Sequence, residues 1–167
     1  MGTLSKSFCS CGGFVAGSKE LVDLMRYKAP GFVYSVGLSA PNTAAAMAAV
    51  DKITAEPERA VELRALGAHF LDTALELGLD CGANQGFAIA PIVIGDSARA
   101  TWVSNQLLTH NINTLPIIAP AVPNKSARLR FFLNVGHTKE QITLTLACTA
   151  KLIERAARLG LNDFKQA

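Results

Sequence analysis

The chain has 167 residues, enough for a compact domain with a real core. Half of them (50%) are hydrophobic and 17% are charged, which excludes a disordered tail. Lys and Arg number 16 against 13 Asp and Glu, and the resulting charge of +3 is scattered, so no nucleic-acid or membrane-surface footprint is present.

No apolar run approaches the roughly eighteen residues that a membrane helix needs. Nor does the apolar stretch of a signal peptide follow Met1. Cys9, Cys11, Cys81 and Cys148 lack zinc-site spacing, and the Cys9-Ser10-Cys11 triplet cannot easily close as a disulfide. Reduced thiols and a cytoplasmic location are the expectation. Glycine and hydroxyl residues are dense from residue 2, with no element before them to hold such a loop, which is expected of a fragment.

In chain order, residues 2 to 13 read as a loop and Phe14-Val15-Ala16-Gly17 as a short buried strand. Ser18 caps a helix to about Lys28, where Leu21, Leu24 and Met25 repeat at helical spacing and Pro30-Gly31 stops it. Phe32-Val33-Tyr34-Ser35 reads as a second strand. An alanine-rich helix is predicted from Asn42, after Pro41, to about Ala55. Another runs from Pro57 to about Leu77 with Leu63, Leu66, Phe70, Ala74 and Leu77 as a core stripe.

After a turn-rich stretch from Gly78 to Gly86, the order is strand, helix, strand, strand, helix. The strands are expected at Ala88 to Ile94, at Ile112 to Ile118 (broken by Pro116) and at Arg128 to Val135. The helix from Ser97 to His110 should bury Trp102, Val103, Leu107 and Leu108. Strand alternation places Leu129, Phe131 and Leu133 on one face and Arg128, Arg130 and Phe132 on the other. Thr138 and Gln141 form a capping box for a last helix from about Lys139 to Leu159, ended by Gly160. This predicts a small α+β domain, a short sheet with helices on one face.

Among polar residues, Lys6 lies between the hydroxyls of Thr3 and Ser5 and near Gly12-Gly13, which permits close backbone approach to a bulky ligand. A lysine that forms an imine must lose its proton, and an apolar or cationic pocket helps it to do so. His69 and His110 fall on predicted helices and read as surface or capping residues, and His137 as structural.

The segment GTLSKSFCSCGGFVAG resembles the lysine motif of the pyridoxal-phosphate (PLP) dependent α-oxoamine synthases. APGFVYSVGLSAPNTAAAMAAV, FAIAPIVIGD and NINTLPIIAPAVPNKSARLRFFLNVGHTKEQI are similar to later segments of that family, in family order. The resemblance implies an α/β architecture, the C-terminal portion of a fold type I PLP-dependent transferase. Residues 1–50 would end the PLP-binding domain and 51–167 would form the small domain. It also implies a decarboxylative condensation of an amino acid with an acyl thioester, on coenzyme A or a carrier protein.

Within that resemblance, Lys6 is the cofactor lysine and later the proton-transfer group. Thr3 bonds the cofactor phosphate, and Ser35 offers a hydroxyl to the phosphate of the neighbouring subunit of a homodimer. Arg130 takes the amino-acid carboxylate, with Arg128 as its rival. Cys9 and Cys11 stand where relatives carry small residues. The stacking ring, the aspartate for the pyridine nitrogen and the glycine-rich phosphate turn precede the lysine in the family, so this chain alone is expected to be inactive. Another fold type I enzyme (an aminotransferase or an aldol-type lyase) and a non-catalytic folding or dimerising fragment are the alternatives.

Overall fold

The computed structural model describes residues 1–160, so the last seven positions of the expected small domain lie outside the described residues. The chain divides into two units, Met1–Pro57 and the residues from Glu58 onward.

The first unit is held mainly by local bonds. Strands β1 (Gly2–Thr3) and β2 (Gly13–Phe14) pair antiparallel, Gly2 with Phe14 and Thr3 with Gly13. Residues 2 to 13 therefore form a closed hairpin rather than an open loop, and the predicted strand at Phe14 shrinks to its first residue. Ser18 caps α1 (Lys19–Lys28) by accepting from the Leu21 amide. The Glu20 carboxyl is held below the usual carboxylate range, first by its own backbone amide and then by the Ser18 hydroxyl.

The strand expected at Phe32 to Ser35 is not there. Pro30 opens a single helical turn, α2 (Pro30–Val33). Proline's fixed φ suits a first helical position, and the Val33 amide donates to the Ala29 carbonyl at 2.9 Å. Helix α3 (Ala40–Ala55) begins two residues earlier than predicted, because Ser39 is the cap and Pro41, with no N–H to satisfy, fits inside the first turn. None of α1, α2 or α3 has a buried residue.

The second unit contains the main hydrophobic core. It comprises α4 (Glu58–Glu76), β3 (Ile89–Gly95), α5 (Ser97–Thr109), β4 (Leu115–Ile117), β5 (Ala127–Phe132) and α6 (Lys139–Arg158). The antiparallel sheet has the order β3-β5-β4, so the last strand in sequence lies in the middle. Strand β4 is shorter than the sequence suggests, because the Ile112 amide bonds the Leu107 carbonyl and closes the end of α5.

One face of the sheet carries Ala90, Ile92, Leu129 and Phe131 into a core shared with Phe70 of α4, Val103 and Leu107 of α5, and Leu146 of α6. The α4 stripe is buried at Leu66, Phe70 and Ala74, whereas Leu77 lies past the helix end and is exposed. Leu108 also points outward, contrary to expectation, since the inward stripe of α5 runs through Ala100, Val103 and Leu107. At the start of α6 the predicted capping box is complete: Thr138 Oγ1 accepts from the Gln141 amide and Gln141 Oε1 from the Thr138 amide. There the Glu140 carboxyl is held below its usual range, its own backbone amide contributing most and the Thr138 hydroxyl next.

Gly67 marks the tightest approach in this unit. A Cβ there would sit 2.3 Å from the Gly86 carbonyl oxygen, a backbone atom that cannot rotate away. Alanine is the better helix former by about 1 kcal/mol, but overpacking against fixed backbone costs about 1–3 kcal/mol. Gly67→Ala should therefore lower stability despite its helix propensity, read as a lower urea midpoint. Leu129→Ala, which empties a fully buried site, should cost about 2–5 kcal/mol in the same measurement.

Candidate active site

Lys6 stands near the tip of the first hairpin. The Cys9 amide donates to the Lys6 carbonyl, Ser10 to Leu4 and Leu4 to Gly12, each at 2.9 Å, and these bonds fold the segment back on itself. The Leu4 side chain is buried beneath it. Ser10 Oγ donates to the Asn42 carbonyl at 2.6 Å and ties the hairpin to the first turn of α3. Lys6 Nζ lies 3.4 Å from Thr3 Oγ1, so an amine and a hydroxyl separated by one turn of chain are brought together on an exposed edge.

Bare backbone surrounds this pair. Gly12 has φ +113°, which L side chains rarely adopt, and a Cβ on Gly13 would approach the Gly2 carbonyl oxygen to 2.9 Å. The remaining predicted site residue of this unit, Ser35, follows α2, and its hydroxyl accepts from the Gly37 amide at 3.4 Å.

Arg130 belongs to the second unit. It lies mid-strand in β5, paired with Pro91 on one side and Leu115 on the other. The two-residue alternation of the strand turns it and Arg128 to the face away from the core. Both line an open cleft of about 470 Å³. The Arg130 guanidinium lies 5.0 Å from the Phe132 ring centroid, and Arg128 Nε donates to the Ser126 carbonyl at 3.0 Å. An arginine fork on a rigid strand can bind a carboxylate through two parallel hydrogen bonds.

Sequence reasoning overlooked Asn84, which lines the same cleft. Its Oδ1 accepts from the Gly86 amide at 2.9 Å, and its Nδ2 is buried without a partner. The only signal was a turn-forming Asn two residues before a glycine, and that reads equally well as loop punctuation. The histidines have structural places. His69 bridges α4 to Lys139 and Thr143 of α6, His110 caps α5, and His137 Nδ1 accepts from the Asn134 amide. Among the described residues no cluster of ligands could hold a metal ion, and no helix is long and apolar enough to cross a membrane.

A sequence model of the family "Aminotransferase class I and II" matches residues 1–147. The chain belongs to this family. It is 34% identical to 8-amino-7-oxononanoate synthase from Symbiobacterium thermophilum over 91% of its own length and 38% of the relative's. It is 32% identical to serine palmitoyltransferase from Sphingobacterium spiritivorum, over 93% of the chain and 39% of that enzyme. These relatives place it with the α-oxoamine synthases. A structure of serine palmitoyltransferase with its PLP internal aldimine superposes with a TM-score of 0.84 at 21% identity, covering 95% of this chain and 40% of that one. The fold is thus that of part of a fold type I enzyme. The chain spans less than half the length of the curated relatives that it matches.

The thiols test this geometry. Cys9 and Cys11 are exposed, whereas Cys81 is buried. Burial, then the neighbouring Asp80 carboxylate, push the Cys81 thiol above its ordinary value. Thiolate is the reactive form. At pH 8 an aromatic disulfide reagent should label Cys9 and Cys11 at once and Cys81 only after unfolding, read by peptide mapping over time.

Proposed function

We propose that the chain contributes the cofactor lysine and the substrate-carboxylate arginine of a PLP-dependent α-oxoamine synthase. Such an enzyme joins an amino acid to an acyl thioester with loss of carbon dioxide. The observation that carries this reading is the exposed Lys6 amine beside the Thr3 hydroxyl, on a hairpin whose glycines leave the backbone bare. An amine for an aldehyde and a hydroxyl for a phosphate are the donor set that PLP requires.

When bound, the cofactor supplies an electron sink for charge at the substrate α-carbon. Lys6 Nζ would hold it and would also be the base that takes a proton from the substrate α-carbon. Thr3 Oγ1 would donate to its phosphate. Ser35 does the same for the neighbouring subunit in a homodimer, which places the sites at a subunit interface. Arg130 would take the α-carboxylate through its fork of donors. In this reading residues 1–50 complete the cofactor-binding domain and 51–167 form the small domain of a cytoplasmic enzyme. The acyl donor is carried on coenzyme A or on a carrier protein.

Because the chain spans 38% of its relative's length, turnover is taken to need the remainder of the fold. Loss of positioning and electrostatic contacts of that kind costs about two or more powers of ten in rate. Two measurements test the proposal. Treating the chain with PLP, reducing with borohydride and mapping the peptides should find the label at Lys6 well above every other lysine. Uniform labelling would overturn the assignment. Mixed with PLP, an amino acid and an acyl thioester, the chain alone should release thiol no faster than Lys6→Ala.

A further inference from the structure

Two thiols that the proposed chemistry leaves unused share the hairpin of Lys6. Cys9 and Cys11 are free and exposed. The Cys9 amide donates to the Lys6 carbonyl at 2.9 Å, so residues 6 to 9 form a β-turn with Lys6 first and Cys9 fourth. A β-turn brings its first and fourth Cα atoms within about 7 Å. Cys9 Sγ lies 3.8 Å from the Ser7 carbonyl, on the exposed surface of that turn. Cys9 also holds φ at +49°, where a glycine would be under less strain, and a side chain kept at such a position points to a chemical role. Lys6 Nζ meets Thr3 Oγ1 at 3.4 Å, and its flexible four-carbon stem reaches across the turn when that contact opens. Cys11 lies past Ser10, outside the turn.

We propose that Cys9 accepts acyl groups from thioesters and passes them to Lys6, so that the hairpin carries a thioester-dependent modification site. The inference rests on the reading of Lys6 as the cofactor lysine and adds a way in which that lysine is blocked. In the first step the Cys9 thiolate attacks the thioester carbonyl. A new carbon–sulfur bond forms as the old one breaks, and the donor leaves as a thiol. In the second step neutral Lys6 Nζ attacks the acyl carbon on Cys9. An amide forms, the Cys9 carbon–sulfur bond breaks, and the amine proton passes to the departing thiolate. No oxidant or further reactant is needed. Two groups held at one turn meet far more often than groups on separate molecules, which favours the second step. An amide is much less reactive than a thioester, so acyl groups collect on Lys6. A Lys6 that already holds the cofactor has no free amine, and only the cofactor-free chain is blocked.

The test incubates the full chain, without cofactor, with octanoyl-coenzyme A at pH 8 and maps its peptides over time by mass spectrometry. An adduct removed by hydroxylamine should appear first at Cys9, and a stable one should follow at Lys6. Lys6 should be acylated about tenfold faster than Lys28 and Lys125, exposed lysines with no cysteine within three positions in the chain. Cys9→Ser should lower the Lys6 rate to that of these two, and Cys11→Ser should leave it unchanged. Prior addition of PLP should slow acylation at Lys6 but not at Cys9. Octanoate carried on an acyl carrier protein is run in parallel, and the faster donor identifies the source of the acyl group.

Acylation of Lys6 no faster than that of Lys28 and Lys125 would overturn the proposal, and so would an unchanged Lys6 rate in Cys9→Ser. Neither result touches the cofactor reading, which stands on selective borohydride labelling of Lys6 with PLP. Acylation of Lys6 through Cys9 that PLP does not slow, together with uniform borohydride labelling, would overturn the cofactor reading and leave the thiol relay in place.

Discussion

The alternation along strand β5 is the constraint on which the second unit depends. Ala127, Leu129 and Phe131 point into the core, and Arg128, Arg130 and Phe132 point away from it. Burying a Leu or a Phe side chain contributes about 1.5–3 kcal/mol. A slip of one residue would exchange the two sets and drive two guanidinium groups into the apolar layer, a loss no local rearrangement could offset. Because β5 is the central strand, its register also sets β3 and β4, with Pro91 and Leu115 both opposite Arg130. The core therefore positions the arginines without contacting them.

The first unit achieves precision differently. Its only buried side chain is Leu4, and its two longer helices, α1 and α3, begin at serine caps, Ser18 and Ser39. Lys6 is held by short-range backbone bonds and by the single link from Ser10 to α3. A loop ordered in this way keeps its polar side chains available to a ligand, which an apolar core would not allow. The same economy leaves Leu24, Phe32, Tyr34 and Met47 exposed. The two candidate residues thus differ in setting: Lys6 sits where burial is least, and Arg130 on the back of the strand where burial is greatest.

Local chemistry was legible wherever it followed a rule of period or cap. The boundaries of α1, α5 and α6, the capping box at Thr138 and the two faces of β5 all came from spacing alone. The misreadings fell where a neighbour overrode propensity. Phe32-Val33-Tyr34 has strand-forming residues, but Pro30 seeds a helical turn and no strand beside it offers a ladder. Leu108 has the right residue type for the core yet the wrong angle on α5, since one hundred degrees per residue carries it past the stripe set by Val103 and Leu107.

What the sequence by itself determined was the family, the pair of candidate groups at Thr3 and Lys6, and the outward face carrying Arg128 and Arg130. Each rests on residues close together in the chain. Only the tertiary structure decided that the Lys6 amine meets the Thr3 hydroxyl across a hairpin, that β5 lies between β3 and β4, and that Asn84 lines the same cleft as the two arginines. The physical reason is distance along the chain. Asn84 and Arg128 are separated in the chain by β3, α5 and β4, and neither periodicity nor capping carries information across such a gap. The pairing of β3 with β5, which sets Val93 opposite Arg128, closes it.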